Sequence, residues 1–494
     1  MASNEDERPA SPDVGTPADC LSTLFQSVKL PCGLIIPNRL VKAATYEHLA
    51  SLFGGPPTDA HCALYAQWAA GNWGMLITGN VQVVPDHLTL GRDIVLPRSL
   101  DAPGIAPFRA LERSAHRYVA SGSKALVIMQ LSHAGRQSPS VLGGRPLFLP
   151  AAAPSAIPLG RKATDRWFAR VLYRIMFPTP RELTLEEIDY ILERFVHGAR
   201  VAAEAGFDGV ELHAAHGYLL AQFLSPKSNV RDDCYSAGQM LLLQRIVREI
   251  RKTAPQKFVV GVKISSADFV EAGSHADKSA EARALTYVKE IAEWSSIDFI
   301  EISGGDYENP EFMLSARQVF FARFARLARA AIQNVPESRR PLILLTGGLR
   351  TKERLQDALI NGHADLLGLA RAATLSPHFP LRLAGGPSGP PSGGDPLVPP
   401  EPKLEYPDAP MTRLFFSALE CLGILPLPKL IGAGVGMAWY TVMLHRLSKG
   451  KTADYSIGGA AAVMLMWTPE LRVVALAVLI CVAIVSWSWA SRDE

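Results

Sequence analysis

Between Leu40 and Leu369, short apolar runs recur along the chain, and a stretch with apolar residues at helical spacing follows most of them. Eight runs have strand length: Leu40–Thr45, Met75–Thr78, Ala125–Leu131, Gly209–His213, Val259–Ser265, Phe299–Ser303, Leu342–Thr346 and Leu366–Leu369. The stretches between them carry helix signals. Thr58–Ala70 is closed by Gly71, and Thr184–Ala205 opens on a Thr184-x-x-Glu187 capping box and stops at Gly206. Eight strand–helix units predict parallel strands with crossover helices, an α/β fold of the (β/α)8 TIM-barrel type.

The flanks break this pattern. Residues 1–23, rich in acidic residues, Pro and Ser, are expected to form a disordered tail, and residues 24–383 the barrel. Within the barrel, Ser138 to Arg181 is a long Gly- and Pro-punctuated connection containing Trp167, Phe168, Tyr173 and Phe177, expected to act as a lid or to be a plain surface excursion. A Pro/Gly-rich linker is expected over 384–412, then a hydrophobic C-terminal region over 413–494. In that region Val473 to Ala490 is eighteen residues without a charge, bounded by Arg472 and Arg492. At about 1.5 Å per residue it reaches roughly 27 Å, close to a bilayer's hydrocarbon thickness. A membrane anchor is expected there, with the barrel in the cytosol, the alternative being a C-terminal helix packed on the barrel. The shorter, glycine-rich run Leu430–Leu444 predicts a buried or interfacial helix.

Composition narrows the classes. Of 494 residues 48% are hydrophobic and 20% charged, enough for a large core. The net charge is only +3, without a basic block interleaved with aromatics, so no nucleic-acid partner is expected. The six cysteines form no C-x-x-C pair, so neither zinc nor an iron–sulfur cluster is expected.

Barrel enzymes place their chemistry where strands end, so the residues following each run are the candidates. Gly347 and Gly348 follow the seventh run, where a backbone without side chains and the next helix N-terminus can receive a phosphate, and Arg371 after the eighth can add a charged fork. A simple turn is the alternative. His213 and His216 end the fourth run, with Tyr218 close behind. A metal site is disfavoured because no third ligand stands nearby. Two imidazoles can instead donate hydrogen bonds to a carbonyl or phenolate oxygen, with a phenol supplying a proton. Alternatively, both histidines are satisfied by backbone and Tyr218 is core.

Several ordered motifs resemble the old yellow enzyme family, the FMN-dependent ene-reductases and NADH:flavin oxidoreductases. They are Pro37-Asn-Arg-Leu-Val-Lys-Ala-Ala, Gln130-Leu-Ser-His-Ala-Gly-Arg136, the segment from Ala205 through Val-Glu-Leu-His-Ala-Ala-His-Gly-Tyr to Pro226, Asn229-x-Arg231-x-Asp233-x-Tyr235, and the closing Gly-Gly-x-Arg and Gly-x-Ala-Arg. The resemblance runs from about Leu24 to Leu383. It implies FMN contacts from Ala44, Thr45, Gly79, Asn80 and Gln130, and a cation, Lys263, near flavin N1. It places the FMN phosphate on Gly347, Gly348, Ala370 and Arg371. It makes His213 and His216 the clamp on a substrate carbonyl and Tyr218 the proton donor, with NADH or NADPH as reductant.

Three positions depart from the family pattern. Tyr46 stands where many members have Thr or Cys beside the flavin, Tyr235-Ser236-Ala237 replaces Tyr-Gly-Gly, and the cysteine cluster of the dienoyl-CoA-reducing branch is missing. The implied reaction is reduction of the C=C bond of an α,β-unsaturated carbonyl compound, a small-molecule enone. Its rivals are a flavin oxidase or dehydrogenase running the other way, and a membrane-tethered barrel that only binds.

Overall fold

The computed structural model describes residues 22–116, 124–146, 149–159, 171, 174–266, 278–304, 318–385, 398–400, 404, 429–459 and 461–467. Eight parallel strands form its centre: β1 (Leu40–Lys42), β2 (Met75–Ile77), β3 (Leu126–Ser132), β4 (Gly209–Ala214), β5 (Val259–Ser265), β6 (Phe299–Ser303), β7 (Leu342–Thr346) and β8 (Leu366–Leu369). Each pairs with the next, and β8 pairs with β1 through Leu367–Leu40 and Leu369–Lys42, so the sheet closes. The barrel expected from the apolar runs is present, with β5 to β8 at the expected bounds. β1 is shorter than expected and stops at Lys42, which puts Ala44 and Thr45 in the following loop. Two short strands that the runs did not predict, Val81–Gln82 and Ile94–Val95, extend the sheet beside the end of β3.

Alternation along the strands decides what each face buries. Leu76, Val127, Val210, Val262, Ile300, Leu345 and Leu367 face outward into the helix layer. Met75, Ile77, Leu126, Ile128, Val259, Phe299, Leu344 and Leu366 face inward and fill the lower barrel, together with Leu30 and Ile36. Leu30 and Ile36 belong to an antiparallel hairpin, Val28–Lys29 with Ile35–Ile36, packed against these interior residues. At the C-terminal level the inward positions turn polar, and the candidate residues lie there.

The surrounding helices are α1 (Asp59–Ala69), α2 (Ala102–Ala115), α3 (Leu185–Ala205), α4 (Leu219–Leu224), α5 (Leu241–Thr253), α6 (Lys278–Glu293), α7 (Gln318–Ala331), α8 (Lys352–Ile360), α9 (Arg371–Leu375) and α10 (Phe379–Leu383). α3 shows how local sequence fixes them. The Thr184 hydroxyl accepts from the Glu187 N–H at 3.3 Å, the Glu187 carboxylate accepts from the Thr184 N–H at 3.0 Å, and Gly206 ends the helix at φ 99°. Its stripe of Ile188, Ile191, Leu192, Phe195, Ala199 and Ala202 is buried against the barrel. Each large side chain of that stripe contributes about 1.5–3 kcal/mol.

The described parts of the 138–181 connection are pinned to the barrel. Arg145 donates to the Asp86 carbonyl at 3.3 Å, Ala152 N–H donates to His87 at 2.9 Å, and Ala152–Ala153 pairs with Arg181–Glu182 just before α3. Phe177 is buried, while Trp167, Phe168 and Tyr173 lie outside the described residues. Beyond the barrel, α11 (Lys429–Leu447) contains the expected 430–444 helix and docks on it. His445 donates to the His48 carbonyl at 2.9 Å, Trp467 stacks edge-on against His48, and Trp439 is fully buried. Among the described residues no helix is long and apolar enough to cross a membrane. Residues 473–490, and most of the expected tail and linker, lie outside the described residues.

Candidate active site

His213 is the inward residue near the top of β4, and His216 follows in a left-handed backbone conformation, φ 57°. That conformation is costly for a residue with a Cβ and turns the second imidazole back over the first. The rings lie 4.9 Å apart at 74°, with His216 Nδ1 3.2 Å from His213 Nε2. The Ala215 N–H donates to His213 Nδ1 at 3.3 Å, which leaves the proton of the neutral ring on Nε2. His213 Nε2–H then donates to His216 Nδ1, so His216 also carries its proton on Nε2 and donates it to the Ser303 hydroxyl at 3.0 Å. Burial holds both imidazoles well below the usual histidine pKa, helped by His216 and Lys263 at His213 and by Lys263 at His216. The pair is therefore neutral and presents two N–H donors. The Tyr218 ring meets His213 edge-on at 4.8 Å and is held at the start of α4 by its N–H donating to the Ala215 carbonyl at 3.2 Å.

One layer below, the inward residues are Gln130, Glu211, Lys263 and Glu301, all nearly or fully buried. Gln130 Nε2 donates to Glu211 at 2.6 Å, and Lys263 Nζ lies 2.7 Å from Glu301. Burial and the neighbouring Glu301 charge push the Glu211 carboxyl well above the usual range. Sequence reasoning found Gln130 and Lys263 and missed Ser303, Glu211 and Glu301. The signal was present: in Phe-Ile-Glu-Ile-Ser the isoleucines face out, so Glu301 and Ser303 must face in.

The fit to FMN rests on the mouth. Thr45 Oγ1 and Thr346 Oγ1 are buried there without a hydrogen-bond partner among the described residues, which leaves each with capacity for a polar ligand. Gly347 and Gly348 take φ 133° and 68° directly after β7, a backbone path that L side chains rarely follow. Arg354 of α8 donates to the Gly348 carbonyl at 3.3 Å, placing a cation beside this turn that the sequence reading had not singled out. Ala370 and Arg371 follow β8 on the adjoining strand, both half-buried. At Gly79 the N–H bonds Glu47 and the Tyr65 hydroxyl, each at 2.9 Å, and a Cβ would collide with the Glu47 carboxylate, so packing also requires a glycine at this expected contact position. Asn80 beside it is buried, and Ala44 is half-buried in the loop after β1.

Tyr46 shares the mouth. Its hydroxyl lies 3.2 Å from His48 Nδ1 and 3.4 Å from Asp93, and it interacts electrostatically with Tyr218. Burial, then the Asp93 charge, raises its pKa well above the usual phenol value, so it stays protonated. Tyr235 is anchored through its carbonyl, which accepts from Asn229 at 2.8 Å, and through its N–H, which donates to Asp233 at 2.9 Å, so the turn holds without the family's glycine pair. Among the described residues no group of three or more His, Cys, Asp or Glu is placed to hold a metal ion.

The closed β/α barrel thus carries an imidazole donor pair, a phenol and a glycine turn together at its C-terminal mouth, where barrels place their chemistry. Residues 23–388 match the NADH:flavin oxidoreductase / NADH oxidase family, and the chain belongs to that family, the old yellow enzymes. It is 35% identical over 398 residues to the NADH-dependent flavin oxidoreductase iliE of Neonectria sp. (strain DH2), covering 76% of this chain but only 49% of that protein. The chain thus spans about half the length of this relative. It is 34% identical to the NADH-dependent flavin oxidoreductase iccE of Talaromyces variabilis, covering 74% of this chain and 87% of that one. Among solved structures, the old yellow enzyme homologue from Zymomonas mobilis shares the fold with a TM-score of 0.56 at 23% identity, covering 73% of this chain and 92% of that one.

Proposed function

We propose that this chain uses NADH or NADPH to reduce the activated C=C bond of an α,β-unsaturated carbonyl compound. The observation that supports this reading best is the convergence of two neutral imidazoles, each with its proton on Nε2, beside the Tyr218 phenol at the barrel mouth. When bound, FMN supplies hydride transfer at N5, from the nicotinamide and then to the β-carbon of the substrate. His213 and His216 exchange their mutual and Ser303 bonds for the substrate carbonyl oxygen and stabilise the negative charge that grows there. Tyr218 gives its proton to the α-carbon. Gln130 and Lys263 would face the flavin's pyrimidine edge, Ala44, Thr45, Gly79 and Asn80 would line its β1 and β2 side, and Gly347, Gly348, Ala370 and Arg371 would hold the phosphate. Tyr46 narrows the entrance and selects among carbonyl substrates.

The test is to reduce the holoenzyme anaerobically with one equivalent of NADPH or NADH and mix it with a panel of enones. Flavin reoxidation that yields the saturated product is expected. Failure of every enone, with reduction of the oxidised enzyme by a saturated ketone, would reverse the assigned direction.

We also propose that residues 24–383 are the catalytic unit, that 384–412 link it to 413–494, and that 473–490 anchor the barrel to an intracellular membrane from the cytosolic side. The support is the uncharged stretch between Arg472 and Arg492. Expressed in its host, the full chain should stay in the pellet after alkaline carbonate extraction, and a chain ending at Arg472 should not.

A further inference from the structure

The layer beneath the histidine pair holds more charge than the proposed reaction uses. Inside the barrel, Glu211 on β4 and Glu301 on β6 are both 0% exposed, with Lys263 of β5 between them. Lys263 pairs in register with His213 on one side and with Glu301 on the other. Glu211 is two residues before His213, about 7 Å down the same strand. Two carboxyl groups and one ammonium thus share a dry interior just under the mouth. Burying charge there is expensive unless it is paired, and two carboxylates so close do not both ionise.

Geometry separates their roles. Lys263 Nζ contacts Glu301 at 2.7 Å, so Glu301 is the carboxyl group paired with the ammonium. Glu211 accepts from the neutral amide of Gln130 at 2.6 Å and hydrogen-bonds to Glu301; burial and the Glu301 charge raise its pKa well above the usual range, so it holds the proton of the carboxyl pair. The other charged or titratable groups close by are His213 and His216, which are neutral, and Lys42, which faces outward over the Trp68 ring at 4.1 Å with Nζ donating to the Ile77 carbonyl.

We propose that Glu301 and Glu211 are positioning residues that set the reduction potential of the flavin: Glu301 orients Lys263 and offsets its charge, and Glu211, held on the Gln130 amide, adds no second counter-charge to the ammonium. The proposal rests on the reading that FMN lies over this layer. A bare Lys263 would favour reduced FMN, whose added negative charge it attracts. Paired with Glu301 it does so less, which keeps the flavin more reducing and a better hydride donor toward a weakly activated C=C bond. The same pair also fixes the ammonium beside Gln130, where it can meet the pyrimidine edge without a rotamer search.

The experiment is the midpoint potential of the full-chain holoenzyme, measured by equilibration with a reference dye for wild type, E301Q, E301D, E211Q and K263M. E301Q should favour reduced over oxidised FMN about tenfold more than wild type, an upward shift of about 30 mV for a two-electron couple. E301D, which keeps the anion, should stay within threefold of wild type. K263M should move the potential downward, and E211Q should stay within threefold. An E301Q potential within threefold of wild type, or an E211Q shift as large as that of E301Q, overturns the proposal. If E301Q does not accumulate, K263M/E301Q is compared with K263M: agreement within threefold supports the pairing, and a tenfold difference overturns it. A wild-type protein without FMN overturns the underlying reading instead, and that outcome is visible before any variant is made.

Discussion

Replacing His61 by Gln isolates one proton from the acid stability of the barrel. His61 is 1% exposed in the first turn of α1, and its Nδ1 accepts the Thr58 N–H at 3.0 Å, in the place that a capping box usually gives to Glu or Gln. Burial, reinforced by His445, pulls its pKa down from 6.5 to about 3. The folded state therefore refuses a proton that the unfolded chain accepts, and stability falls as pH drops from the unfolded pKa toward the folded one. At pH 5 the unfolded imidazole is protonated and the folded one is not. That gap of about 1.5 pH units costs about 2 kcal/mol. Gln keeps the acceptor for Thr58 and removes the titration. Urea unfolding of wild type and H61Q at pH 7.5 and 5.0 reads the difference. The two proteins should agree within about 1 kcal/mol at pH 7.5, and the loss on going to pH 5.0 should be about 2 kcal/mol smaller in H61Q. Equal losses in both would refute the reasoning. His48, also lowered to about 3, lies in the loop that carries Ala44, Thr45 and Tyr46 to the mouth, so acid should loosen that loop too.

Tyr218→Phe should slow flavin reoxidation by enone about 10²- to 10⁴-fold in stopped flow while leaving reduction by NAD(P)H unchanged; equal slowing of both halves removes Tyr218 as donor. His216→Ala should lower kcat/KM about 10²- to 10³-fold. Ser303→Ala, which removes only the partner of His216 in the ligand-free site, should cost less than about tenfold, so a loss matching H216A assigns the serine a direct part. Thr184→Ala should lower unfolding free energy by about 1 kcal/mol through the lost cap of α3, with flavin content per barrel unchanged in the absorbance spectrum.

The barrel was legible because its signals are local. Val259–Ser265 reads as a strand from its apolar run, and Thr184, Glu187 and Gly206 bound α3 by hydrogen bonds that span only a few residues. β1 was overextended because Ala43-Ala44-Thr45 continues the apolar run after the sheet has ended, and nothing in composition marks where a strand leaves its ladder. Val81–Gln82 and Ile94–Val95 are too short for periodicity to register. In the site, His213, His216 and Tyr218 stand together in sequence and were found together. Ser303 and Glu301 come from a strand two places around the barrel, and only the face on which the alternation puts them links them to the histidines. Gly79 shows the converse: its motif position suggests a ligand contact, while its nearest demand is room for Glu47.

An FMN-dependent reductase is tested most directly by its cofactor. Met1–Leu383 is expressed, purified, denatured, and the released chromophore is identified by chromatography and mass. A yellow protein that releases about one FMN per barrel, bleaches anaerobically with NADH or NADPH, and recovers its colour on addition of an enone is the predicted result. A folded, colourless barrel that takes up no FMN would contradict it.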